Sequence, residues 1–481
     1  MGQEIDHTVF SQEERDQFKH NLAIETQALE TCFSKPQADD DTYVAGFELE
    51  AYLVDKTSLR PAPVNGGFLE QLDSALASAE LASFNIEFNT EPLPLRDSAL
   101  SDFHQQLSST ITEALPIAHK LDTELLLCGI LPTLKDEDLS PENMSRMKRY
   151  QALNEQVLAT RHGHPLRLDI VGHEHLVSEH HNVMLEAAAT SFQLHLKTPF
   201  SKIQQAYNAA ILVTAPVVAA CANSPFLFGR DLWAETRIPV FEQSVQSGGY
   251  AGASQGPLHR VSYGSGYARN SILEVFRENL EHFPPLLPMV FDQPEPFAHL
   301  RLHNGTLWRW NRPLVGFNKD GRPHIRLELR SLPAGPSIKD TIANAALYFG
   351  LVRYYLDHDC CQLEFALAKD NFYQAARFGL KAKLFWLDQK RHNMQNLLIN
   401  KLIPQAHEGL LSLKISPQDI DHYLDIVQQR VASGLNGSNW QRQRRALMLP
   451  DAQQDIMYAL TRDYLAAQKE GRPVHLWEPH D

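Results

Sequence analysis

Residues 46–54 read Gly-Phe-Glu-Leu-Glu-Ala-Tyr-Leu-Val, an alternation that predicts a strand with Phe47, Leu49, Ala51 and Leu53 on one face and Glu48, Glu50 and Tyr52 on the other. Two carboxylates projecting side by side from one sheet face repel each other. Such a pair is either splayed into water or gathered round a divalent cation. The choice depends on what the rest of the chain brings to the same face.

Similar patterns recur. Residues 84–91 alternate Phe84, Ile86 and Phe88 against Asn85, Glu87, Asn89 and Glu91, and residues 190–196 place Gln193 and His195 on a polar side. His299-Leu300-Arg301-Leu302-His303 and Arg326-Leu327-Glu328-Leu329-Arg330 read as two more strands with charged faces. Leu125 to Cys128 reads as a short buried strand. Helices are predicted from a Ser11/Glu14 capping box to about Phe33, over about 97–121 and 142–161, from Ser201 through a long apolar run, and almost continuously after Ser337. The apolar run, Ala209 to Ala222, holds Thr214 and Pro216 and falls short of the roughly 20 residues that span a bilayer, so it reads as a buried helix. Six glycines between Gly248 and Gly266 predict a long loop able to act as a lid. With 481 residues and no clean linker, the expected division is a catalytic domain over 1–400 and a helical C-terminal extension over 401–481, packed on it.

A net charge of −14 argues against a nucleic-acid partner and against adsorption to anionic lipid, so an anionic ligand here needs local positive charge or a metal. The five cysteines show no Cys-x-x-Cys spacing, and residues 1–15 lack the basic and apolar regions of a signal peptide. A reducing, cytoplasmic setting is expected.

For one strand, a polar face of this kind means a sheet with one side in water. Solvent faces, however, favour Thr, Lys and Ser, and lysine is almost absent from these segments. If the strands share a sheet, one face gathers Glu48, Glu50, Glu87 and Glu328 beside Arg301, Arg326 and Arg330. Hard carboxylate oxygens suit Mg²⁺ or Mn²⁺ rather than zinc, and arginine forks suit phosphate oxygens bridged to such a metal. The expectation is a Mg-nucleotide site on a sheet face.

Gly46-Phe47-Glu48-Leu49-Glu50, Thr190 to Leu196, Ala222-Asn223-Ser224-Pro225-Phe226, Arg326 to Arg330 followed by Leu332-Pro333-Ala334-Gly335-Pro336, and Asn371 to Leu380 together resemble the glutamate–cysteine ligase family of the plant and bacterial second type. The resemblance runs in order from about residue 44 to about 442. It implies an α+β, glutamine-synthetase-like fold, with an antiparallel sheet curved round the active site and helices outside. It also implies ATP-dependent carboxylate–amine ligation through an acyl phosphate, with glutamate or a similar acid and an amine such as cysteine as small-molecule substrates, as in glutathione biosynthesis; a homo-oligomer is compatible with it.

Residue by residue, the resemblance makes Glu48, Glu50, Glu87 and Glu328 magnesium ligands and assigns Gln193 and His195 to the ATP and metal site. Arg330 becomes a phosphate contact, catalytic together with Glu328. Arg237 would hold a substrate carboxylate, and Asn371 and Arg377 would brace the site or touch substrate. The family has Asn at the His195 position in its plant branch. Outside the motifs, His299 and His303 read as solvated or supporting residues, and His173, His175, His180 and His181 as a surface loop; Glu186 has no directional signal. Two other readings of the same residues are a kinase that stops at phosphoryl transfer to a carboxylate or guanidino group, and a non-catalytic metal–nucleotide-binding regulator.

Overall fold

A computed structural model describes residues 5–34, 42–247, 259–358, 360–448 and 455–478. In chain order the elements that build the site are α1 (Gln12–Ser34), β1 (Val44–Asp55), β2 (Ala77–Ala79), β3 (Asn85–Asn89), α2 (Ala99–Lys120), β4 (Thr123–Leu126), α3 (Lys148–Thr160), β5 (Ser191–Lys197), α4 (Ile203–Cys221), α5 (Arg237–Ser244), α6 (Leu273–His282), α7 (Ala298–Gly305), β6 (Asn311–Phe317), β7 (Pro323–Pro333), α8 (Ile338–Leu356), α9 (Phe365–Phe378) and α10 (Ile403–Ser412). Three further helices follow, Pro417–Ser433, Gly437–Leu447 and Ile456–Lys469. Of the expected glycine-rich loop, residues 248–258 lie outside the described residues.

The strands form an antiparallel sheet in the order β6-β7-β5-β1-β3-β2, with β4 and the short strand Leu93–Pro94 also paired to β1. β1 sits at the centre because its twelve residues are long enough to pair with β5 and Leu93–Pro94 near one end and with β3 and β4 toward the other. Its apolar face is buried against helices: the Phe47 ring lies 4.2 Å from Phe103 of α2 and 6.0 Å from Phe349 of α8, burial worth about 2 kcal/mol for a side chain of this size. That packing decides which face is left for chemistry. Glu48 and Glu50, one residue out of phase with Phe47, point into the concave side.

α1 starts at the expected capping box, with the Glu14 N–H donating to Ser11 Oγ (3.2 Å) and the Ser11 N–H to Glu14 Oε2 (2.7 Å). α8 is likewise capped by Ser337, whose Oγ accepts from the Asp340 N–H. α4 is all but enclosed: 89% of the apolar window in Phe200–Cys221 is buried inside the protein, so its length and composition serve a core rather than a bilayer.

Two expectations fail. Residues 299–303 are not a strand but the middle of α7. The histidines expected in a surface loop lie in and beside an antiparallel hairpin, Leu166–Val171 with His175–His180, and His180 is buried.

Candidate active site

The concave face of the sheet is the floor of a cavity of about 550 Å³. Glu48, Glu50, Glu87, Gln193, His195, Arg326, Glu328 and Arg330, from four adjacent strands, all line it. The register explains their convergence: Glu50 is paired with Glu87, Glu48 with Gln193, and His195 with Glu328, so like-facing positions of β3, β1, β5 and β7 fall in one row. Beyond the floor, the walls come from α5 (Phe241), α7 (Arg301, Leu302, Asn304), Trp308, β6 (Leu314, Phe317) and α3 (Arg149, Tyr150).

The acidic side chains fall into two groups. In the first, one ligand atom each of Glu48, His195 and Glu328 lies within 4.8 Å of the others; in the second, the same holds for Glu50, Glu80 and Glu87. The first group is already compensated. Arg312 donates to Glu328 from Nε (2.9 Å) and Nη2 (3.1 Å), and Arg330 Nη1 adds a third bond at 3.1 Å. Burial works against the Glu328 charge, but the two guanidinium groups outweigh it and hold the carboxyl near a pKa of about 2. Arg326 Nε donates to His195 Nδ1 (3.2 Å), which leaves the ring proton on Nε2, 3.0 Å from Glu48 Oε1. Burial is again the largest influence on Glu48, and again it is outweighed, here by His195 and Arg330, so Glu48 ionises well below the usual range.

In the second group burial outweighs the nearby arginines. Glu50 accepts from the Ser191 N–H and Oγ, both at 2.6 Å, and from Gln193 Nε2 at 3.0 Å, which fixes its direction, yet burial still raises its pKa. Burial and the nearby Glu48 push Glu87 to about 7; burial with Glu87, Glu50 and Glu186 beside it pushes Glu80 well above the normal range. Glu186 lines the same cavity and is also raised to about 7 by burial and by Glu50. These four carboxyls, Glu50 and Glu87 buried and Glu80 and Glu186 half-buried, are a donor set of hard oxygens that a divalent ion fits.

Arg330 is aimed by an irregularity. Between Leu329 and Leu332 the β7 register slips against β5, so three steps on one strand oppose two on the other. Such a bulge re-aims side chains. Arg330 Nη1 donates to Gln193 Oε1 at 2.5 Å, and the guanidinium is held 5.9 Å over the Phe241 ring. Arg237, expected on a substrate carboxylate, is spent on the same bulge: its guanidinium donates to the carbonyls of Ser331 (3.2 Å) and Arg330 (3.3 Å), and it does not line the cavity. Nor do Asn371 and Arg377. The Asn371 amide exchanges both bonds with the Phe385 backbone, and Arg377 lies 4.6 Å over the Trp233 ring on the exposed side of α9.

Glu80 and Arg312 were missed in the sequence. Ser78 and Glu80 are two apart on and just beyond the three-residue β2, too short to show a period, and Ser78 pairs with Glu87. Arg312 belongs to the hairpin β6–β7, whose turn, Lys319-Asp320-Gly321-Arg322 after the apolar Leu314, Val315 and Phe317, was a readable signal for a strand paired with Glu328.

A family model described as glutamate-cysteine ligase family 2 matches residues 44–462. Among solved structures, a glutamate–cysteine ligase from Francisella tularensis in complex with AMP aligns over 90% of this chain and 94% of its own, with 13% identity and a TM-score of 0.55. A bifunctional glutathione synthetase from Pasteurella multocida aligns over 92% of this chain and 54% of its own, at 12% identity and a TM-score of 0.46. No sequence among curated proteins matches. The expected glutamine-synthetase-like fold, a curled antiparallel sheet with helices outside it, is the fold found.

Proposed function

The chain belongs to glutamate–cysteine ligase family 2, and from that premise we propose that the cavity joins glutamate, through its γ-carboxylate, to an amine such as cysteine by way of an acyl phosphate. At the coarser level the protein is an ATP-dependent carboxylate–amine ligase. The observation that carries the finer reading is the adjacency, on one sheet face, of a carboxylate group raised by burial (Glu50, Glu80, Glu87) and an arginine-bearing group (Glu48, His195, Glu328 with Arg326 and Arg330). Glu50, Glu80 and Glu87 would hold one divalent ion, and Glu48 and Glu328 another through the carboxylate lone pairs that their hydrogen bonds leave free, with His195 orienting Glu48. Bound there, Mg²⁺ or Mn²⁺ supplies charge neutralisation and Lewis acidity toward phosphate oxygens.

The protein's own groups do the rest. Arg330 and Arg326 face the space where an anionic phosphoryl group would sit, and their forks suit its equatorial oxygens. An oxygen of the acid's carboxylate attacks the γ-phosphorus, the bond to the β-phosphate oxygen breaks, and ADP leaves. The amine nitrogen then attacks the acyl carbon and phosphate departs. The ammonium proton must go to a base, and Glu186, in the cavity but outside both ligand groups, is poised near neutrality for it.

The test is ADP release across a panel of amino acids supplied singly and in pairs, with heavy-oxygen label in the acid's carboxylate. Release that needs both an acid and an amine, with label recovered in phosphate, supports the reading. Turnover with the acid or a guanidine alone makes the protein a kinase, and nucleotide binding without turnover makes it a regulator.

A further inference from the structure

We infer that Glu25, on a helix that precedes the family-matched region, is a positioning residue for the metal and phosphate site, acting through α7. The inference rests on the metal-site reading above. α7 has only eight residues, too few to persist by its own hydrogen bonds. Its N-cap residue, Phe297, sits in the left-handed region (φ 59°) and offers no side-chain oxygen to the first turn. The cap is supplied from α1 instead. Glu25 Oε2 accepts from the Leu300 N–H (2.8 Å) and Oε1 from His299 Nδ1 (2.6 Å), which leaves His299 Nε2 to accept from Asn21 Nδ2 (3.2 Å). Phe18 of α1 packs edge-on against the same imidazole, 5.4 Å between centroids. A carboxylate at a helix N-terminus also meets the positive end of the helix dipole.

The other end of α7 reaches the site. The Asn304 and Gly305 carbonyls accept from Arg312 Nη1 at 3.3 and 3.2 Å, and the remaining nitrogens of that guanidinium grip both oxygens of Glu328. Asn304 Nδ2 donates to the Pro313 carbonyl beside Arg312, and His303 Nε2 lies 2.9 Å from the Asn279 carbonyl of α6. Arg301, Leu302, Asn304 and Gly305 line the cavity. Glu25 therefore holds one end of a two-turn helix whose other end fixes the arginine that orients Glu328.

The experiment is Mn²⁺ titration of the whole protein by electron paramagnetic resonance, without nucleotide, so that the readout is binding rather than turnover. Glu25→Ala weakens Mn²⁺ by about tenfold, the low end of what losing an outer partner of a ligand does to metal affinity. Glu25→Gln, which keeps one carbonyl oxygen for Leu300, moves the affinity less and in the same direction, and decides the matter should the alanine variant not fold. Arg277→Ala is the control. It cuts α1 from α6 by removing the bonds to Glu30 (3.0 and 2.6 Å) without touching α7, and leaves Mn²⁺ affinity as it was. Wild-type binding that is unchanged in the folded Glu25 variants, or weakened equally by Arg277→Ala, overturns the positioning role alone. A wild-type protein that binds no Mn²⁺ overturns the metal-site reading and this inference with it.

Discussion

His195 stands directly opposite Glu328 in the β5–β7 ladder, yet its Nε2 lies 3.0 Å from Glu48 and 4.0 Å from Glu328. Arg326 fixes the ring from behind, at Nδ1, and the Arg312 fork already occupies both Glu328 oxygens. The imidazole thus reaches across from β5 to Glu48 on β1 rather than to the Glu328 it is paired with. On one side of the floor arginine and histidine hold the carboxylates ionised; on the other, at Glu50, Glu80 and Glu87, burial raises the carboxyls, and there the proposed added cation would balance them.

That imbalance sets a pH dependence for the added cation. Glu87 and Glu186 hold protons up to about 7, so a divalent ion binding among these carboxyls must displace protons at pH 6 and few at pH 8. Mn²⁺ at fixed concentration should raise the melting temperature more at pH 8 than at pH 6. Equal shifts at the two pH values would place the ion elsewhere.

Another raised carboxyl lies outside the candidate metal groups. Glu242 on α5 accepts from Trp310 Nε1 (2.9 Å) and Tyr373 Oη (2.8 Å), and burial lifts it to about 7 in spite of those bonds. A folded-state pKa above the unfolded value of 4.5 means that the native state binds the extra proton between the two, so this contribution is complete at low pH and is lost as pH rises through 7. Glu242→Gln carries no charge at any pH. Relative to wild type it should gain stability between pH 5 and pH 8, up to about 3 kcal/mol, read from urea unfolding at the two pH values. A difference that does not change with pH would show that Glu242 ionises as freely as an exposed carboxyl.

The four strands that carry the floor were legible because each alternates over five or more residues and buries one face on helices, which leaves period two intact in the sequence. Residues 299–303 show the limit of that signal. His-Leu-Arg-Leu-His alternates perfectly over five positions, but five positions are also little more than one helical turn, and what makes them a helix is a cap from Glu25 that no local pattern encodes. Arg237 failed for a related reason: a guanidinium placed after Asn223-Ser224-Pro225 reads as a substrate clamp until the β7 bulge, visible only in the paired register, claims it. Glu186 had the right chemistry and no periodicity, since it sits in the 3-10 turn Val183–Ala188.

Close helix packing on the outer side gives a stability prediction. α10 crosses α8 where Gly409 faces the Gly350 carbonyl and Gly350 faces the Ala406 backbone, with no room for a Cβ at either glycine. Gly409→Ala gains helix propensity but must push α10 off α8, and the overpacking should win by about 2 kcal/mol net. Urea unfolding measures it, and a neutral or stabilising result would show that the two helices can separate without loss.

Glu328→Gln and Arg330→Lys should fail in different ways although the residues are two apart on one strand face. Glu328 is the partner of a buried Arg312, so removing its charge strands that guanidinium and should cost about 3 kcal/mol of stability, as when one member of a buried pair is lost. It should also shift half-maximal activity to higher Mg²⁺, because a carboxamide is a poorer ligand for a hard cation. Arg330→Lys keeps a positive charge within reach of Glu328 and Gln193 and should unfold close to wild type, but it lacks the planar fork. If the fork acts on the transferring phosphoryl group, the loss falls on turnover, by on the order of 3 kcal/mol in barrier, with the Mg²⁺ dependence unmoved. The measurements are urea unfolding and rate against Mg²⁺ concentration for both variants. Superimposable magnesium profiles with equal stability losses would reduce the two residues to one structural ion pair and take the phosphoryl-transfer role away from this strand.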